Sequence, residues 1–231
     1  AVVALIGEKG TGLYGLVNNA GVGGGGLVGE TSIEDQRFVY DVNVEGVYRV
    51  TKAFAPLIIE SKGRISTTGS IAGTVSWPGG TAYSGSKHWM EAFTDALAGE
   101  MAEHGVKVSV VEPGNYKSNI RRSSVSRGLS QIEKAGGEVT EEMKADYEKT
   151  AERELSLKEP DDVTEAFTHA LFSDEPLLRY MVVPDRGEAE MTIGTKINEL
   201  VQLNQWTPHR FSRDELVQML DAALNPQPAS D

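Results

Sequence analysis

Four short apolar runs, each stopped by small or turn-forming residues, constrain this chain most. They are "LYGLVNNAG" at 13–21, "GRISTTGS" at 63–70, "VKVSVVEPG" at 106–114 and "LRYMVVP" at 178–184. Each has the length and residue types of a buried strand. Longer stretches with helical spacing lie between them. Ser32 is a good N-cap, with Glu34 and Asp35 in the first turn where they favour the helix dipole. Phe38, Val42, Val47, Val50, Phe54 and Leu57 continue that helix, and Pro56 should kink or close it. A loop at 77–80 leads to a helix from about Tyr83 to His104, which Gly105 ends. Pro160 starts the helix "DDVTEAFTHALF", and "SRDELVQMLDAAL" opens on an N-cap serine. Strands alternating with helices predict an α/β fold built on a doubly wound parallel sheet. Ligands of such sheets bind at the carboxyl ends of the strands. Those ends carry Asn18 to Gly21, Ser70 and Pro113-Gly114.

Gly21, Gly23 and Gly26 match the spacing G-x-G-x-x-G. A pyrophosphate loop also needs a helix opening on its last glycine, and an acid closing a second strand about 20 residues on. Here the helix waits until Ser32, and Asp41 falls inside it. The match is therefore read as accidental. The small residues after Asn19 instead let backbone lie close against a flat ligand.

The balance of 34 acidic against 22 basic residues, net −12, disfavours nucleic acid and anionic membranes as partners. With no cysteine there is no disulfide framework, no thiolate nucleophile and no thiolate-bound metal. His104 and His169 have no partners at metal-binding spacing, so no metal is expected. No run approaches the roughly 18 apolar residues of a membrane span, and the first residues do not make a signal peptide. A cytoplasmic location is the default expectation. The first residues look like the tail of a helix, and the last, "NPQPASD", look disordered. Residues 115–160 are charged, with one helical run around 141–155.

The local signal for chemistry is "YSGSK". Tyr83 and Lys87 stand four apart on a helix, so they share a face. A phenol with a pKa of about 10 is a poor acid or base at neutral pH. A nearby ammonium favours the phenolate and lowers that value. Taken alone, the pair reads sooner as a solvated surface pair than as a catalytic one. Ser70 lies at a strand end 13 residues earlier, where its hydroxyl can bond a substrate oxygen. Asn43 sits among apolar residues in "DVNVEG"; without a function, its amide would bond back to its own helix. His88 follows Lys87 but points off the Tyr–Lys face. Trp77 and Trp89 are candidates to wall a substrate pocket or to pack.

"NNAG" at 18–21, Asn43 in "VNVEG", Ser70 in "TTGSIAG", "YSGSK" and "PG" at 113–114 together resemble the short-chain dehydrogenase/reductase family. The likeness is to its classical type, on the retinol and 17β-hydroxysteroid dehydrogenase branch. The resemblance covers residues 11–120 well and the remainder more weakly. It implies an NAD- or NADP-dependent oxidoreductase interconverting an alcohol and a ketone or aldehyde, with a lipophilic substrate. It implies a catalytic tetrad: Tyr83 as acid/base, Ser70 polarising the substrate oxygen, Lys87 lowering the Tyr83 pKa and binding ribose, and Asn43 holding a water in a relay through Lys87. Asn19, Ala20 and Gly21 would flank the cofactor, Pro113 and Gly114 would lie beside the nicotinamide, and Ser118 would stand where a threonine bonds its carboxamide. The segment 115–160 would form the substrate lid, with Tyr116, Ile120 and helix 141–155 covering substrate. A homodimer or homotetramer packed through the helix of Tyr83 is also implied.

The family's glycine-rich phosphate loop would precede "NNAG" by many tens of residues, and only 17 residues precede Asn18. The expectation is a single domain over 1–231, the C-terminal two-thirds of such an enzyme, with a Rossmann-like sheet lacking its first strands. The rival expectation is a non-catalytic remnant, or a binding module of the same fold that has lost its cofactor.

Overall fold

A computed structural model describes residues 1–10 and 12–225. The tail from Pro226 onward, expected to be disordered, lies outside the described residues. The four expected strands are present as β1 (Gly15–Asn18), β2 (Arg64–Thr68), β3 (Lys107–Pro113) and β4 (Arg179–Val182). They form one parallel sheet in the order β1-β2-β3-β4. Parallel pairing makes each crossing a helical one, so the polar carboxyl ends gather along one edge. β3 is buried on both faces, Val108, Val110 and Val111 included, as a central parallel strand must be.

Helices α3 (Val47–Glu60) and α4 (Thr81–Ala102) pack on β1 to β3, and α7 (Asp161–Phe172) on β2 to β4. Ile58, Ile65, Leu97, Met101, Val106 and Val108 form the core between sheet and helices. The expected N-terminal helix is there as α1 (Val2–Lys9), closed by Gly10 at φ 63°. Ser32 caps α2 (Ile33–Tyr40), its hydroxyl accepting from the Asp35 N–H at 3.1 Å.

Three local expectations are revised. The helix after Ser32 is not one rod: a π turn, Asp41–Gly46, separates α2 from α3. Pro56 does not close α3, which continues to Glu60. Segment 115–160 holds two helices, α5 (Ile120–Lys134) and α6 (Glu141–Leu155). α5 escapes a periodicity reading because Ser123, Ser124, Ser126, Gly128 and Ser130 interrupt its few apolar positions, Val125 and Leu129 among them. α5 and α6 pack on each other around a cavity of about 440 Å³ lined by Val125, Leu129, Met143 and Arg153 among others.

Backbone contacts divide the chain into two compact units, Ala1–Ala189 and the residues from Glu190 onward. The second holds most of α8 (Arg186–Leu203) and all of α9 (Arg213–Leu224). Ser212 opens α9 with a reciprocal capping box to Glu215, and Asn204 brackets the Phe211 backbone with bonds of 2.8 and 2.9 Å.

The register of β1 on β2 depends on Gly63. Arg64 N–H donates to the Tyr14 carbonyl at 2.6 Å, and a Cβ on Gly63 would stand 2.1 Å from that oxygen. Backbone cannot yield as a flexible side chain can. Gly63→Ala is expected to lower unfolding free energy by about 2 kcal/mol, measured by urea titration; an unchanged midpoint would show that the strand start is not tightly packed.

Candidate active site

α4 begins immediately beside the carboxyl ends of β2 and β3, which places Tyr83 and Lys87 on the edge where ligands of such sheets bind. Lys87 is 3% exposed. Its Nζ donates to the Thr68 carbonyl at 2.8 Å, approaches Met90 Sδ at 3.6 Å and lies 5.7 Å from the centre of the Tyr83 ring. Burial pushes the ammonium pKa down to about 8, against the pull of Glu91 one turn on. Burial pushes the Tyr83 phenol up, opposed by the Ser70 hydroxyl and by the positive charge of Arg121.

Ser70 caps a single 3₁₀ turn, Ile71–Gly73. Its hydroxyl accepts from Ala72 N–H at 3.1 Å and donates to the Pro113 carbonyl at 3.4 Å. That contact joins the end of β2 to the end of β3 and sets the hydroxyl near the phenol. Trp77 leans on Tyr83 with ring centres 6.4 Å apart and stays 48% exposed. Trp89 is elsewhere, stacked on Phe93 at 4.7 Å. His88 turns its ring nitrogen to the Ser84 carbonyl at 2.8 Å.

Asn43 is fully buried inside the π turn, a distortion often found at functional sites. Its amide makes no bond to its own helix. It accepts from Val22 N–H at 2.9 Å, donates to the Val22 carbonyl at 3.0 Å and donates to Ser86 Oγ at 2.9 Å. Ser86 in turn donates to the Tyr83 carbonyl at 2.7 Å. Ser86 was not singled out in "YSGSK", although standing three residues after Tyr83 puts it on the flank of the same helix face. It ties the turn that carries Tyr83 to the π turn.

Asn19 accepts from the Thr68 hydroxyl at 2.9 Å, so it stands beside the carbonyl that holds Lys87. Gly21 lies against the same group: a Cβ there would be 3.9 Å from Lys87 Nζ and 3.5 Å from Asn43 Oδ1. Ala20 and Ser118 are exposed, and the Ser118 hydroxyl accepts from Ile120 N–H at 3.4 Å. Gly114 N–H donates to the Val182 carbonyl at 2.7 Å. A Cβ on Gly114 would stand 2.2 Å from Glu188 Oε2 and 3.0 Å from Val183 Cγ1, so a side chain there would have to displace Glu188, a carboxylate that sequence reasoning missed. Gly21 to Gly26 opens no helix. Instead α5 lies on it: Arg127 donates to the Gly23 carbonyl and sets its guanidinium 4.6 Å from the centre of the Phe38 ring, while the Ile120 carbonyl packs on Gly23.

Of the candidate lid residues, Tyr116 is buried and its hydroxyl donates to Asp162 at 2.8 Å. Burial and that carboxylate raise its pKa. Glu154 of α6, 3% exposed, accepts from the N–H groups of Arg121 and Arg122 at 2.9 and 3.2 Å. It therefore caps α5.

A family model described as "short chain dehydrogenase" matches residues 1–128. The chain belongs to the short-chain dehydrogenase family. It is 38% identical over 179 residues to the Rattus norvegicus protein named "D-beta-hydroxybutyrate dehydrogenase, mitochondrial", covering 73% of this chain and 52% of that protein. It is 36% identical over 179 residues to retinol dehydrogenase 7 of Mus musculus, covering 73% and 56%. The chain thus spans about half the length of these curated relatives. A Burkholderia phymatum short-chain dehydrogenase in complex with NAD superposes with a TM-score of 0.64 at 25% identity, over 91% of this chain and 75% of that one. A Streptomyces avermitilis short-chain dehydrogenase shares the fold with a TM-score of 0.63 at 23% identity, over 98% and 75%. The parallel sheet flanked by helices is the family's Rossmann-like architecture. Among the described residues no helix is long and apolar enough to cross a membrane, and no group of His, Asp and Glu is placed to hold a metal.

The buried ammonium makes stability depend on pH. Lys87 has a folded pKa near 8 against an ordinary 10.5. Between those values the unfolded chain binds more protons, so raising pH favours the fold. Relative to Lys87→Met, the wild type should gain stability as pH rises from about 8 to about 10.5, read from denaturant midpoints of both proteins. A flat difference would mean that Lys87 is not held as described.

Proposed function

We propose that the complete enzyme interconverts an alcohol and a ketone or aldehyde with NAD or NADP. The reading is carried by one observation: the Tyr83 phenol, the Ser70 hydroxyl and the Lys87 ammonium converge at the carboxyl ends of β2 and β3. The residues present fit a nicotinamide nucleotide. Lys87 has three N–H donors and one strong acceptor, the Thr68 carbonyl, which leaves donors for ribose hydroxyls. Gly21 leaves open the space that a side chain would fill beside Lys87 and Asn43. Asn19, Ala20 and Gly21 would flank the nucleotide, and Pro113, Gly114 and Ser118 would face its nicotinamide end. The cofactor supplies or takes the hydride.

Ser70 would hold the substrate oxygen, and Tyr83 would give it a proton or take one. A phenol raised by burial is a reluctant base, so the positive charges of Lys87 and Arg121 have to offset desolvation. The relay water expected of Asn43 would use its main-chain carbonyl, because its side-chain amide is committed to Val22 and Ser86. Trp77 beside Tyr83 would give an apolar part of the substrate a surface, which supports the lipophilic expectation. Tyr48, Trp89 and Phe93 form an aromatic group on α3 and α4, which supports pairing of two copies through α4. A non-catalytic module has no use for an ammonium buried against a phenol, so the enzymatic reading is preferred.

Tyr83→Phe keeps the ring and removes the ionisable oxygen. In the full-length enzyme, turnover should fall by about 100-fold or more, while NADH or NADPH fluorescence titration gives unchanged affinity. Unaltered turnover would remove Tyr83 from the reaction.

A further inference from the structure

Arg121 stands in the first turn of α5, and its root is fixed. Its N–H and that of Arg122 donate to the buried Glu154 carboxylate. Its guanidinium reaches back and donates to Asn115 Oδ1. Glu188 holds Asn115 so that this oxygen faces the guanidinium, accepting from its backbone N–H at 2.9 Å and from Nδ2 at 2.6 Å. Asn115 follows Pro113-Gly114, and the Pro113 carbonyl accepts from Ser70. One line of contacts therefore runs from the Ser70 hydroxyl through Pro113 and Asn115 to the guanidinium.

The charge is felt where the chemistry would occur, since it lowers the phenol pKa against burial. Arg121 is exposed, and among the described residues it makes no ion pair. Its side chain has one neutral partner for five N–H donors. Arg179, by contrast, meets the carboxylates of Glu91, Asp95 and Glu112. A chain with net charge −12 repels anions at long range, so an anionic substrate needs a fixed local cation. A planar guanidinium with spare parallel donors matches a carboxylate.

We infer that Arg121 receives a carboxylate carried by the substrate, so that the enzyme acts on hydroxy acids and their oxo counterparts. The inference rests on the alcohol–carbonyl reading above. The hydroxyl-bearing carbon sits at Ser70 and Tyr83, the carboxylate at Arg121, and Trp77 faces the apolar remainder.

The test uses the full-length enzyme with 3-hydroxybutyrate and its methyl ester as paired probes, under NAD and under NADP. Wild type should prefer the acid. Arg121→Met removes a charge that also acts on the Tyr83 phenol, so it should slow both probes, but the loss in kcat/KM should be about 100-fold larger for the acid than for the ester. Arg121→Lys, which keeps the charge without the fork, should retain part of the preference. NADH affinity, by fluorescence titration, should not change. A second reading needs no turnover: 3-hydroxybutyrate should perturb tryptophan fluorescence saturably, and Arg121→Met should abolish that response. Equal losses for acid and ester would overturn the inference, as would no preference in wild type. A loss of NADH affinity in step with activity would assign Arg121 to the cofactor's phosphates and also overturn it. If wild type turns over neither probe nor simple alcohols, the parent reading fails instead, and the fluorescence response still decides whether Arg121 binds the acid.

Discussion

An ammonium withdrawn from water is the constraint around which this structure is arranged. A buried Lys survives only where acceptors and neighbouring charge offset lost hydration. Here the Thr68 carbonyl supplies the acceptor and Glu91 the charge. That carbonyl has to lie at the end of β2, which requires β2 to pair with both neighbours in the observed register. It also requires a helix to start beside the strand ends, so that residues four apart can face inward together. The parallel sheet, the position of α4 and the small residues at Gly21 all serve to bring one cation beside one phenol without steric conflict.

The supports of that pair are less conspicuous than the pair itself. Ser86 and Asn43 connect the first turn of α4 to the π turn and to the Val22 backbone. Every polar atom in that connection has a partner, and a fully satisfied buried network specifies a single arrangement. Asn18 does similar work on the other side of the sheet end, donating to Thr51 at 2.9 Å and to Thr67 at 3.4 Å. A catalytic constellation needs placement to a fraction of an ångström, and such side-chain bridges between elements can supply it where backbone ladders end.

Much of this was legible in the residues. The four strands could be read because short runs of β-branched residues end in turn chemistry, and parallel pairing follows from the helices between them. Tyr83 and Lys87 could be read because a helix repeats every turn, and Ser70 because it closes a strand. The π turn could not be read: Asn43 looked like a misplaced amide in a regular helix, and its partners Val22 and Ser86 are distant in the chain. Helix α5 was hidden because its stability comes from packing on α6 and from the Glu154 cap, neither of which leaves a periodic trace. Glu188 and Arg121 escaped notice because surface charges are common, and only the fold shows that both converge on Asn115.

The Glu154 carboxylate has a mechanical consequence. It grips α5 by the main chain, while Arg127 fastens the middle of the same helix to the Gly23 carbonyl. Clamped at two points to different parts of the protein, α5 cannot swing alone. Any displacement of α5 must break the Arg127 bond to Gly23 and, in addition, either carry α6 along or release the Glu154 carboxylate.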